Sequence, residues 1–221
     1  MLQHVYERTL QARYLTSTII ATDDQRVYDA ARSFGARVRM TRADHLSGTD
    51  RVAEIASAEN AEIIVNIQGD EPLIDPEAID TAILPVAQEN DILMATLKKK
   101  IERAREINDP NVVKVVTDQA GDAIYFSRSP IPFYREDVGD YFKHIGLYVY
   151  RTDFLLSYSN LPVGPLERAE RLEQLRALEN GFKIRVVETE YESLGVDTPE
   201  DLERVSALFE ASKMRGVELN G

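Results

Sequence analysis

Ile64-Val65-Asn66-Ile67 runs directly into Gln68-Gly69-Asp70-Glu71-Pro72, and this junction constrains the fold more than any other stretch of the chain. A short apolar run with β-branched residues reads as a buried strand, and the Gly and Pro that follow force the backbone to turn. In an open α/β sheet, ligands sit outside the carboxyl ends of the strands. The junction therefore delivers Asp70 and Glu71 to an edge where ligands bind. Asp is equally at home in ordinary turns, so the acid gains meaning only from what converges on it.

The surrounding sequence alternates strands and helices. Leu2, Val5, Tyr6 and Leu10 lie on one helical face, residues 17–22 read as a strand, and Val27, Ala30, Ala31 and Phe34 form a second helical stripe stopped by Gly35. Residues 36–40 read as a short strand, and a polar loop leads to a helix carrying Val52, Ile55 and Ala56. Beyond the strand ending at Gln68 come a helix with Ile79, Ala82, Ile83 and Val86 and a strand over 92–97. This spacing predicts an α/β protein with a doubly wound, mostly parallel sheet.

After Asn108 the rhythm changes. Residues 112–117 and 123–127 are strand-like and bridged by Asp118-Gln119-Ala120-Gly121, a hairpin signal. Residues 143–151 form a further strand, Leu172, Leu175 and Leu178 mark a helix closed by Gly181, and 182–188 return as a strand. Thr198 as N-cap, Pro199 at the first helical position and an acid at the third start a last helix. No repeat or linker divides the chain, so residues 1–221 read as one domain with an antiparallel, hairpin-containing subregion over about 109–165. A doubly wound domain normally opens with a strand, but here none precedes the first helix. The chain is expected to begin one element late.

Composition narrows the function. Cysteine is absent, which excludes disulfides and thiolate metal sites, and no apolar run approaches the roughly 18 residues of a membrane span. With no basic-then-apolar leader pattern, a cytoplasmic protein with no membrane partner is expected. The formal charge of −12 (26 basic against 38 acidic residues) and the lack of a basic stripe argue against nucleic acid. A nucleotide ligand stays compatible, provided that a divalent cation or a few convergent Arg and Lys side chains offset its phosphates.

Each candidate site residue has a bland alternative. Asp197 precedes a well-capped helix, where an acid suits the positive helix end; paired with Asp70 from another loop, it could hold Mg²⁺, which takes oxygen ligands and completes its shell with water and phosphate. Ser47 and Gly48 open a helix and could contact a ribose, base or phosphate, or simply cap it. Arg128 leaves a strand stiffened by Pro130 and Pro132; its planar fork suits a carboxylate, and an intramolecular ion pair competes. His144, beside Lys143 and two residues before Gly146, is a candidate for a polar ligand. Glu173 and Gln174 read by default as a solvated helix face.

Taken together, the strings ATDD, SGTDR, VNIQGDEP, NDPNVVKVV, YFSRSPIP, KHIGLYVYR, LEQLRALENG and GVDTPEDLE resemble the 3-deoxy-manno-octulosonate (KDO) cytidylyltransferases, also called CMP-KDO synthetases, from Leu2 to about Leu208. The resemblance implies a Rossmann-like, Mg²⁺-dependent, usually dimeric enzyme of the bacterial cytosol. Such an enzyme makes CMP-KDO and diphosphate from CTP and KDO for lipopolysaccharide assembly. It implies that Asp70 and Asp197 hold Mg²⁺ and are the catalytic pair. Ser47 and Gln68, with Asp70, bind CTP, and Arg128, His144, Tyr148, Glu173 and Gln174 surround the sugar acid.

The chain departs from the family at its front. The family's opening strand and its P-A-R-x-x-S-x-R-x-P-x-K triphosphate loop are absent, and residues 1–8 resemble an internal K-P-M-I-x-H-V-x-E-R segment. Met1 is thus expected to match an internal methionine, with full activity depending on the upstream strand and loop. Two other readings remain: a cytidylyltransferase for another sugar acid such as a sialic acid, and an inactive binding or dimerisation remnant.

Overall fold

Side-chain caps set four helix starts among the described residues of this computed structural model, which describes residues 1–45, 47–136, 139–196 and 198–214, the last four by backbone alone. The N-terminal half contains α1 (Leu2–Thr9), β1 (Ile20–Thr22), α2 (Gln25–Ser33), β2 (Val38–Met40), α3 (Gly48–Ala56), β3 (Ile63–Asn66), α4 (Pro76–Gln88) and β4 (Met94–Lys100). Asp24, Ser47 and Asp75 cap α2, α3 and α4 by accepting from backbone amides two or three residues on. Gly35 and Gly181 take φ of +79° and +81° beyond helix ends, a conformation that costs other residues strain.

The second half contains α5 (Ala104–Ile107), β5 (Lys114–Thr117), β6 (Ala123–Ser127), β7 (Phe142–Arg151), α6 (Thr152–Tyr158), α7 (Pro165–Glu170), α8 (Leu175–Glu179), β8 (Arg185–Glu188) and α9 (Pro199–Met214). The expected hairpin is β5–β6, turning at Gly121. At the start of α9, Thr198 and Asp201 bond reciprocally, the side chain of each reaching the other's amide.

β7 organises the larger sheet, ordered β6-β5-β7-β4-β8 with β3 also on β7. β4 pairs with β7 over nearly its whole length, so the opposite edge is shared by β5 near Lys143 and β3 at residues 148–151. All three pairings are antiparallel. The class is the expected α/β sheet, but β7 separates β3 from β4, and parallel neighbours occur as β1–β2 and β4–β8.

Alternation along β7 divides the core. Ile145, Leu147 and Val149 pack with Ile79, Ala82 and Ile83 of α4. The other face joins Tyr150 to Phe126, Phe154, Leu155 and Leu175. Each fully buried side chain of this size contributes about 1.5–3 kcal/mol.

β1 and β2 form a separate two-stranded sheet with a small core of Ile20, Ala31 and Ala36. Among the described residues, β1 pairs only with β2 and β3 only with β7. A cavity of about 620 Å³ lies between their unpaired edges, faced by Leu2, Val5 and Tyr6 of α1 and by Val52 and Ile55 of α3. Residues 17–19, expected to be strand, instead line this cavity, because pairing to β2 begins only at Ile20. No helix among the described residues is long and apolar enough to cross a membrane.

Candidate active site

The loop after β3, the N-terminus of α3 and the segment before α8 meet at one place. Ser47 Oγ accepts from the Asp50 amide as the cap of α3 and donates to Glu173 Oε1, both at 3.1 Å. Thr49 also bonds Glu173. Gln68 lies against the same helix start: a Cβ on Gly48 would sit 3.8 Å from its Nε2. Ser47, Gln68 and Glu173, distant in sequence, are thus neighbours.

Glu173 and Gln174 are not a solvated face. Gln174 is buried, and burial pushes the Glu173 carboxyl above its ordinary range against the pull of Thr49, Ser47 and Arg176. The helix expected there begins later, at Leu175, so both residues sit in the turn that feeds it. The Tyr158 hydroxyl anchors that turn by donating to the Glu173 carbonyl at 2.6 Å.

β7 supplies a second wall. His144, Gly146 and Tyr148 occupy the face opposite Ile145 and Leu147. His144 lies 5.4 Å from Tyr148 and meets Phe126 edge-on at 5.0 Å, ring centre to ring centre. Burial lowers the His144 pKa to about 3, so the imidazole is neutral near pH 7, and burial together with Tyr150 and Glu173 raises the Tyr148 phenol. No atom beyond its chain neighbours lies within 4 Å of where a Gly146 Cβ would point, which leaves open space at that position on this face of β7.

Arg128 leaves β6 beside Glu170. Its amide donates to Glu170 Oε2, while Nε and Nη1 donate to the Glu170 and Pro110 carbonyls. The neighbouring acid is therefore present, but its carboxylate takes the Arg128 amide and the guanidinium is positioned by carbonyls.

Asp70 and Glu71 organise the third part. Tyr191 and Ser193 donate to the two Glu71 oxygens, each at 2.8 Å. Burial raises the Glu71 carboxyl, Tyr191 and Ser193 oppose that rise, and Asp70 adds to it. The Val196 amide donates to the Asp70 carbonyl at 3.0 Å, and a Cβ on Gly195 would lie 3.9 Å from Asp70 Oδ2. The segment leading to Asp197 is thus held against Asp70; Asp197 itself lies outside the described residues.

Sequence reasoning missed Thr49 and Tyr191. Thr favours strands and helix starts for ordinary reasons, and a Tyr in a loop carries no periodic signal, so nothing in their spacing marks them.

This constellation, mounted on a mixed α/β sheet, has counterparts among known proteins. A cytidylyltransferase family model matches residues 1–184. The 3-deoxy-manno-octulosonate cytidylyltransferase of Solibacter usitatus (strain Ellin6076) is 80% identical over 219 residues, covering 98% of this chain and 87% of the relative. The protein of the same name from Geobacter metallireducens (strain ATCC 53774 / DSM 7210 / GS-15) is 56% identical over 217 residues, 93% of this chain and 85% of its own length. A solved structure of CMP:2-keto-3-deoxy-manno-octonic acid synthetase complexed with CTP superposes with a TM-score of 0.92 at 45% identity, covering 96% of this chain and 88% of that one. The chain belongs to the cytidylyltransferase family, on its 3-deoxy-manno-octulosonate branch.

Proposed function

We propose that the protein transfers the cytidylyl group of CTP to KDO, releasing diphosphate and forming CMP-KDO for lipopolysaccharide assembly. The convergence of Ser47 and Gln68 with Glu173, beside the open face of β7, carries this reading. Phosphate suits the α3 N-terminus, where backbone amides and the helix dipole face an anion. Ser47, Gln68 and Asp70 bind the nucleotide there. His144, Tyr148, Glu173 and Gln174 enclose the sugar acid, and the remaining guanidinium donors of Arg128 meet its carboxylate.

Asp70 and Asp197 would hold Mg²⁺. Asp70 Oδ2 faces Gly195, whose missing side chain leaves room beside the carboxylate, and oxygen donors of this kind suit Mg²⁺ when phosphate and water complete the shell. Held there, Mg²⁺ would supply charge neutralisation for the triphosphate. A KDO hydroxyl attacks the α-phosphorus; the new P–O bond forms as the bond to the β-phosphate breaks, diphosphate departs, and the hydroxyl proton passes to solvent. The protein's part is mainly positioning.

The reading extends to assembly and location. Ile124 and Phe133 are 61% and 87% exposed beside a groove formed with Ile131, Pro132 and Phe142, and this apolar area suits the interface of a cytoplasmic homodimer. The gap between β1 and β3 is lined by apolar residues of both strands and of α1 and α3. Phosphorus NMR of CTP with Mg²⁺ tests the function. CMP-KDO and diphosphate should form with KDO and not with a sialic acid; the reverse preference, or no product, would contradict it.

A further inference from the structure

The register between β4 and β7 shifts at one step: Thr96 faces Tyr148, but Leu97 faces Ile145. Gly146 and Leu147 are therefore extra on β7. Thr96, completely buried, fills the irregularity with its hydroxyl. That oxygen lies 2.7 Å from the Leu147 carbonyl, 3.1 Å from the Ile145 carbonyl and 2.9 Å from His144 Nε2.

A hydroxyl has one proton to give, and carbonyl oxygens only accept. Were the proton given to Nε2, two carbonyl oxygens would face the lone pairs of the Thr96 oxygen at hydrogen-bond distance. Given to Leu147, at the usual length for O–H···O, it leaves the Thr96 oxygen able to accept, so Nε2 must carry a hydrogen. The ring is neutral, as its depressed pKa requires, and its single hydrogen is then accounted for. Among the described residues nothing hydrogen-bonds Nδ1, and the open space at Gly146 lies on the same face of β7.

We infer that Thr96 is a positioning residue that fixes His144 as the Nε2–H tautomer and so presents Nδ1 as an acceptor for a hydroxyl of the sugar acid. Its identification of the ligand rests on the function proposed above; its statement about the tautomer does not. A positively charged or Nδ1–H imidazole would offer a donor there instead. Thr96 thereby sets which hydrogen-bond polarity the pocket shows to a polyhydroxylated substrate.

The chain contains three histidines, His4, His45 and His144, so nitrogen-15 labelling of histidine gives a spectrum that can be assigned by substitution. The wild-type protein should show His144 as a neutral Nε2–H ring from about pH 5 to 8. Thr96→Val, similar in shape but without the hydroxyl, should lose that single tautomer, and Thr96→Ser should retain it. Removing one hydrogen bond of this kind should raise the KM for KDO roughly three- to tenfold with little change in the KM for CTP, and Thr96→Ser should restore it. An Nδ1–H ring in the wild type, which needs no variant to fold, would overturn the inference, as would an unchanged tautomer in Thr96→Val. The expected tautomers with an unchanged KM for KDO would overturn the recognition step. The expected tautomers in a protein that turns over no KDO would count against the substrate and leave the Thr96–His144 relation standing.

Discussion

β7 has hydrogen-bonded neighbours along both edges and packed side chains on both faces, whereas among the described residues β1 and β2 pair only with each other, over three residues. The larger sheet encloses two clusters of buried side chains; the smaller has Ile20, Ala31 and Ala36 and borders a cavity. The candidate sugar pocket is mounted on the first region, through His144 and Tyr148. The proposed nucleotide end, with Ser47 and Gln68, lies beside α3 and the loop after β3. Under the proposed function, the difference teaches that precision is concentrated where a substrate's hydroxyls are read, and that the phosphate end depends on elements packed less completely.

The largest expected effect is catalytic. Asp70→Asn should lower diphosphate release by on the order of a hundredfold or more while leaving the fold intact, read by a diphosphate-release assay beside circular dichroism. Near-normal turnover at saturating CTP and Mg²⁺ would remove Asp70 from the metal site.

A stability pair sharpens the contrast between the sheets. Leu97→Ala, at a fully buried β4 position, should cost about 2–5 kcal/mol. Ile20→Ala, on the cavity's edge, should cost no more than about 1–2 kcal/mol because fewer atoms surround the truncated group. Urea unfolding measures both, and equal costs would break the comparison.

The third prediction concerns pH. The His144 pKa is depressed from 6.5 to about 3, so the unfolded chain binds the proton more readily than the folded one. This contribution to stability is fully present above pH 6.5 and is lost as the pH falls from there toward about 3. His144→Asn should therefore lose less stability than the wild type over that interval; parallel curves would show that the ring is not desolvated.

The smallest effect is local. Amides of β7 should exchange with deuterium more slowly than those of β1 and β2, since opening a strand bonded on both sides disrupts more structure. Equal protection would mean that the smaller sheet is as well supported as the larger.

Much of this was legible beforehand. Strand and helix periodicity, the Asp118–Gly121 turn and the closing glycines Gly35 and Gly181 all act locally, and these elements form at the expected places in the chain, several of them shorter than expected, as at β1 and α8. α6 was hidden because Phe154, Leu155 and Tyr158 follow β7 without a break and share its apolar character. The place of β7 between β3 and β4 depends on long-range pairing, which no local pattern encodes. Within the site, Glu173 and Gln174 looked solvated because helical periodicity assigned them to an outer face, whereas the turn before α8 rotates them inward. Arg128 was visible as a rigid strand exit, but its carbonyl partners come from loops far along the chain.

The most direct test of the account is a hydrogen-exchange footprint of KDO and of CTP with Mg²⁺ on the same protein. KDO should slow exchange in β7 around residues 144–148, near Arg128 and in the turn at 173–174. CTP with Mg²⁺ should instead protect the start of α3 and the loop at 68–71. Protection by KDO at β1 and β2 with none on β7 would contradict the claim that the sugar acid is read from the central strand.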